Sequence, residues 1–199
     1  MINMKPFAIS LALTLSSGLV LAQPRISYVR TAVSSTQYNN GGKVSPLDTN
    51  KLIKVQSQSI TVPIKGKKPM RFNTTPEMEE FHYIGDIKGT TLSVIQVLHP
   101  NDEIDLVINR STGVIDSLIA PPVFSDDGKE FACLNNPGTD EEQRIQIGEI
   151  RNGAVHIKGV IRIGPNTFDD INCVKKGALL ARTGTSGKKY YYKISYRTH

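Results

Sequence analysis

Apolar and polar residues alternate with a period of two along most of the chain from Lys51 onward. In KLIKVQSQSITVPI the apolar positions are Ile53 and Val55, then Ile60, Val62 and Ile64, a spacing that fits one face of a strand better than a helical stripe. Pro63 has no amide hydrogen to give to a neighbour, which places the end of that run at a sheet edge. The same pattern predicts strands over 81–87, 92–98, 104–109, 114–119, 130–134, 144–150, 154–163, 173–181 and 190–197. Turn signals separate them: KGT, HPND, RSTG, SDDG, RNG, GPN and TSGKK. Alternation is cleanest in RNGAVHIKGVIRI, where Val155, Ile157, Ile161 and Ile163 read as one face and His156, Lys158 and Arg162 as the other. Asn152-Gly153 predicts a two-residue hairpin turn there, because both residues tolerate positive φ. The one helical turn expected is TTPEMEEF, with Thr75 as cap, Pro76 in first position and Glu77, Glu79 and Glu80 at the positive end of the dipole. The pattern as a whole predicts an all-β fold of antiparallel hairpins.

The N-terminus reads differently. Residues 1–22 pair one charge, Lys5, with the apolar run FAISLALTLSSGLVLA and end on Val20-Leu21-Ala22, the form of a secretory signal peptide cleaved before Gln23. A periplasmic or secreted location without a stable membrane anchor follows from that reading. Residues 23–50, rich in Ser, Thr, Asn and Gly, read as a flexible lead-in with one short strand around Ile26 to Val29. Residues 51–199 are then a single β domain.

The net charge is +6. Lys65, Lys67, Lys68 and Arg71 form one basic cluster, with Lys175-Lys176 and Lys188-Lys189 as smaller ones. In an exported protein such clusters meet anionic glycans, lipid headgroups or an acidic protein cleft, or they simply keep hairpin ends solvated and strand edges unpaired. They form no basic stripe interleaved with aromatics, so nucleic acid is not an expected partner. Cys133 and Cys173 are the only cysteines. In an oxidising compartment they are expected to form one disulfide, the alternative being two buried thiols. Two cysteines with no histidine at ligand spacing do not make a zinc site.

A repeat with a period near forty residues runs through the hairpins. DLVINRSTGVI from Asp105 aligns with IQIGEIRNGAV from Ile145, so Gly113 matches Gly153, and the same offset sets Cys133 on Cys173. This is in tension with the disulfide, since equivalent positions in neighbouring blades usually lie beyond the ~7 Å that a disulfide tolerates between Cα atoms. PPVFSDDGKEFACL resembles the Pro-x-Phe-Ser-Pro-Asp-Gly-Lys repeat of TolB-like and WD-repeat-like β-propellers, with Asp126 where that family usually has proline. LVINRSTGVIDSL is similar to the strand that accompanies it. The resemblance covers residues 103–134 and, more faintly, 143–174. It implies a hairpin in which Ser125 and Asp126 close the turn through side-chain bonds and Gly128 is left-handed. A chain this short has room for four blades at most, so an incomplete propeller or a twisted β-sandwich is expected.

Familiar catalytic patterns do not occur: there is no His-Glu-x-x-His, no Gly-x-Ser-x-Gly and no Gly-rich phosphate loop. His82, His99, His156 and His199 are scattered, and no cofactor is implied. Asp126-Asp127 and Asp169-Asp170 lack the ligand series of a calcium loop and read as turn residues. RTGTSGKKYYY is similar, at Ser186, Gly187 and Tyr190, to the Ser-Gly-x-x-Tyr loop of periplasmic lysozyme inhibitors. Three functions remain open. The first is a non-catalytic immunity or inhibitor protein occluding a peptidoglycan-degrading toxin, a role known for incomplete propeller-like folds. The second is a lysozyme inhibitor acting through the 186–190 loop. The third is a secreted hydrolase in which His82, His99 or His156 meets a distant acid or nucleophile. Under the first, the expected partner contacts are Ser125, Asp126, Asp127 and Lys129 on one turn and Ser186, Lys188 and Lys189 on another.

Overall fold

Strands pair mostly with their successors in sequence, and this divides the described residues into four antiparallel sheets. The computed structural model describes residues 24–41, 47–50, 52–56, 58–75, 80–99, 102–137, 140–165, 167–185 and 187–198, without the side chains of Asp102, Cys173 and Thr185. The chain begins with β1 (Ser27–Val33), α1 (Ser35–Asn39) and the short β2 (Leu47–Asp48). A first sheet follows, made of β3 (Lys54–Gln56), β4 (Ser59–Val62) and β5 (Met70–Asn73). The second runs through β6 (Glu80–Ile87), β7 (Leu92–His99), β8 (Asp102–Asn109) and β9 (Ile115–Leu118), with β2 beside β6. The third holds β10 (Pro122–Phe124), β11 (Glu130–Asn135), β12 (Gln143–Arg151) and β13 (Ala154–Ile163). The fourth holds β14 (Asp170–Lys175), β15 (Ala178–Thr185) and β16 (Lys188–Arg197), and β1 completes its outer edge.

The sheets stack in chain order, because each inner sheet buries apolar residues on both faces. Ile60, Val62 and Ile64 of the first region pack on Phe81, Ile95, Val97 and Ile108 of the second sheet. The other face of that sheet presents Leu92, Val94, Val107 and Leu118 to Phe124, Phe131 and Cys133 of the third. The third sheet then turns Ala132, Ile145, Ile147, Ile161 and Ile163 toward Ile171, Val174, Leu179, Ala181 and Ile194 of the fourth. Burial of this kind contributes roughly 1.5–3 kcal/mol per large side chain. The result is an all-β, sandwich-like single domain of antiparallel hairpins, with no sheet closed into a barrel.

Gln143 pins the third sheet to the fourth. It is fully buried, accepts from the amides of Thr167 (2.7 Å) and Phe168 (2.9 Å), and donates to the carbonyl of Phe168 (2.8 Å) and to Asn136 Oδ1 (2.9 Å). A buried amide with all of its bonding capacity met fixes a loop without leaving a desolvated polar atom.

Several expectations change here. Within the 23–50 stretch, residues 24–41 are not a loose lead-in: β1 pairs along β16 from Ser27↔Arg197 to Val33↔Tyr191. Arg30 lies 3.7 Å over the Tyr192 ring, and Tyr38 of α1 is buried against Tyr191 with its hydroxyl donating to Asp170. The strand expected over 173–181 is broken by a turn in which Gly177 has φ +72°, so β14 and β15 are a hairpin. Residues 1–22, expected as a signal peptide, residues 76–79 of the expected helical turn, and Ser186 lie outside the described residues. Cys133 is a buried free thiol on the face of β11 that meets the second sheet, whereas Ile171 and Val174 of β14 pack on the opposite face. The Cys173 side chain lies outside the described residues.

Candidate functional site

The turn from Ser125 to Glu130 is held by its own side chains. Ser125 Oγ donates to Asp127 Oδ1 (2.8 Å) and accepts from the amide of Glu130 (2.9 Å), while the Lys129 amide donates to Asp127 Oδ1 (3.0 Å). Gly128, at φ +69°, supplies the left-handed residue, as expected. Asp127 does the closing assigned above to Asp126. Bonds from Ser125 and Lys129 hold the Asp127 carboxyl below its ordinary pKa. Asp126 and Lys129 project outward from this fixed turn, both exposed.

Beside the turn lies a groove of about 580 Å³ at the mouth between the third and fourth sheets. Ser125, Asp126, Asp127 and Lys129 line one wall; Val174, Lys175 and Lys176 line the other, joined by a parallel bridge between Ser125 and Val174. Glu130, Glu149 and Lys158 are also in its lining, with the Lys158 ammonium 2.9 Å from Glu130 and 2.8 Å from Glu149. Burial draws the Lys158 pKa down, but the bonds from Glu149 and Glu130 outweigh it and hold the group above its usual value. The same contact lowers Glu149. A second hollow shares Glu130, Lys158 and Lys176 and continues past Gly177 to Tyr196, Arg197 and Thr198. Tyr196 is buried with its hydroxyl unbonded, and burial followed by the charge of Glu130 raises its pKa.

A β-bulge aims Lys158 into this groove. Ile147 pairs with Gly159 and Gly148 with Ile157, so Lys158 is the extra residue between them. The bulge reverses the faces of β13: Val155 and Ile157 join the core with the second sheet, whereas Ile161 and Ile163 join the core with the fourth. The unbroken alternation in sequence therefore does not mark one face. Glu130, Glu149 and Lys158 were missing from the expected contacts, and the signal for them was Gly159 inside a strongly alternating strand.

The second expected tip lies elsewhere. Lys188 and Lys189 begin β16 and are exposed, while Arg197, beside the groove, ends it. At about 3.3 Å per residue the two ends are roughly 30 Å apart. The two turns are thus not one contact surface. His82, 3.1 Å from Glu80, and His99 lie toward the end of the second sheet remote from the groove, whereas His156 faces Glu149 across β12–β13. No group of three His, Cys, Asp or Glu able to hold a metal occurs among the described residues. The chain matches no protein-family model, no curated protein and no solved structure.

Proposed function

We propose that the protein is an exported, non-catalytic binding protein that uses the groove between the third and fourth sheets to occlude a protein partner, in the manner of an immunity or inhibitor protein against a peptidoglycan-degrading enzyme. The observation that carries the reading is the fixed Ser125–Glu130 turn standing opposite Lys175 and Lys176. A rigid tip loses little conformational freedom on docking. Unpaired cations beside it suit an acidic cleft, because complementary charge steers encounter and selects the partner. Lys158 and Arg151 are paired with Glu130 and Glu149, and Lys129 with Asp127, so the unpaired charges offered outward are those of Lys175, Lys176 and Arg197, with Asp126 beside them.

The test is capture of a binding partner from periplasmic extract by the protein and by Lys175→Glu/Lys176→Glu, followed by peptidoglycan degradation by that partner with and without each. The reading expects the native protein to suppress degradation and the double variant to lose both capture and suppression. Capture that survives the double variant unchanged would place the contact elsewhere, and turnover of peptidoglycan by the protein itself would end the non-catalytic reading.

A further inference from the structure

The basic clusters at Lys65–Lys68 and Lys175–Lys176 are far apart in sequence and belong to the two outermost sheets, yet a chain of contacts joins their turns. The Lys65 amide donates to the Arg110 carbonyl at 2.7 Å and the Lys67 ammonium to the Thr112 carbonyl at 2.7 Å, so the first sheet's turn lies on that of the second. Asn109 Nδ2 donates to the Gly153 carbonyl at 2.8 Å, tying the second sheet's turn to the third's. Arg151 of the third and Lys175 and Lys176 of the fourth line one groove. All four sheets therefore bring a turn to the same end of the molecule. Sheets stacked about 10 Å apart make this end roughly 30 Å long.

We infer that the basic patches of the two outer sheets are the two ends of one rim, bridged by inner turns whose cations Lys88, Arg110 and Arg151 are paired with Asp48, Asp86 and Glu149, and that the partner spans both patches with an acidic protein surface. Lys65, Lys68, Lys175, Lys176 and Arg197 are exposed and have no acidic partner among the described residues, and Lys67 meets only a carbonyl. At the opposite end the pattern differs: Arg162 pairs with Glu142 and Arg182 with Asp170, with Asp140, Glu141 and Asp169 nearby in sequence. Acidic side chains are set among the rim cations at Asp126, Asp127 and Asp48. Those carboxylates repel a rigid, densely charged polyanion such as a sulfated glycan or a continuous anionic membrane, whereas the more widely spaced carboxylates of a polypeptide, borne on flexible side chains, can pass between them.

This rests on the occluding reading and extends it from the groove to the far sheet. Binding is measured against poly-L-glutamate, heparin and phosphatidylglycerol vesicles, using the native protein, Lys67→Glu/Lys68→Glu, Lys175→Glu/Lys176→Glu and, as control, Lys188→Glu/Lys189→Glu. The inference expects poly-L-glutamate to bind, with affinity falling about tenfold in each rim variant, changing less than about twofold in the control, and declining steeply with salt. If Lys67→Glu/Lys68→Glu binds like the native protein while Lys175→Glu/Lys176→Glu does not, the two patches are not one rim and the groove reading stands alone. Binding to heparin or vesicles but not to poly-L-glutamate, or to none of the three, overturns the acidic-protein assignment. Matching thermal unfolding of all four proteins shows that a lost affinity is not a lost fold.

Discussion

Asn109 donates its side-chain amide to the carbonyl of Gly153 at 2.8 Å, a bond between two hairpin turns of different sheets. Its carboxamide oxygen also accepts the amides of Ser111 (2.9 Å) and Thr112 (3.2 Å), so one residue closes its own turn and fastens it to the next. Asn109→Ala removes these bonds and the one that Thr91 Oγ1 donates to Asn109 Oδ1 (3.3 Å), and is expected to lower stability by about 1–2 kcal/mol, read from urea unfolding.

Asp105 is fully buried between the second and third sheets with neither carboxyl oxygen bonded, and burial, then Glu103, pushes its pKa up to about 7. The folded protein therefore keeps a proton that the unfolded chain, titrating near 3.9, has released. Its stabilising contribution is complete below about pH 4 and disappears as pH rises through about 7. Asp105→Asn cannot titrate, so its unfolding free energy lacks this component. Between pH 5 and pH 8 the native protein should lose on the order of 2 kcal/mol relative to Asp105→Asn. Parallel pH profiles for the two proteins would show instead that Asp105 is solvated.

Lys158→Met leaves Glu130 and Glu149, cross-strand neighbours on β11 and β12, facing each other without their shared cation. The expected loss is about 1–2 kcal/mol, limited by partial exposure. Adding Glu130→Gln and Glu149→Gln should recover most of it, because the triple variant buries no unpaired charge. Thermal unfolding of the single and triple variants decides this.

Gly148 has no side chain because Phe131 occupies the space: a Cβ there would stand 2.2 Å from Phe131 Cζ. Gly148→Ala should destabilise by roughly 2–3 kcal/mol through overpacking, and Phe131→Leu in the same chain should return part of it. A Gly148→Ala protein of native stability would mean that the third sheet shifts freely against the second.

What could be read from the sequence was local. Asn152-Gly153 does form a hairpin turn with both residues at positive φ, 55° and 70°, and Ala154–Ile163 is a strand, because turn chemistry and alternation are written within a few residues. Half of the candidate site shared this advantage: Ser125, Asp126, Asp127 and Lys129 are one turn, and only the assignment of the closing carboxylate moved, from Asp126 to Asp127. The other half depends on pairing across distant strands. Gly159 beside Lys158 hints at a bulge, but nothing near it in sequence says that the bulge turns Lys158 toward Glu130 and Glu149, and nothing near Lys176 says that it will lie beside Arg151. β1 was expected only as a short strand around Ile26 to Val29, and its full length escaped for a different reason: six of its seven residues are exposed, so it shows no apolar face, and its backbone pairing with β16 does the holding.

That pairing bears on how the protein is made. Ser27 leaves the ribosome long before Arg197, the residue opposite it in the finished sheet. β3 to β13 meet their partners soon after they emerge, whereas SYVRTAV must wait for β16 to be synthesised. Closing so long a loop adds little to its entropic cost, since that cost grows only with the logarithm of length. The exposure is in time: a nascent chain carries an unmatched β-branched strand, and Arg30 is the one charge within it that discourages pairing with a neighbour.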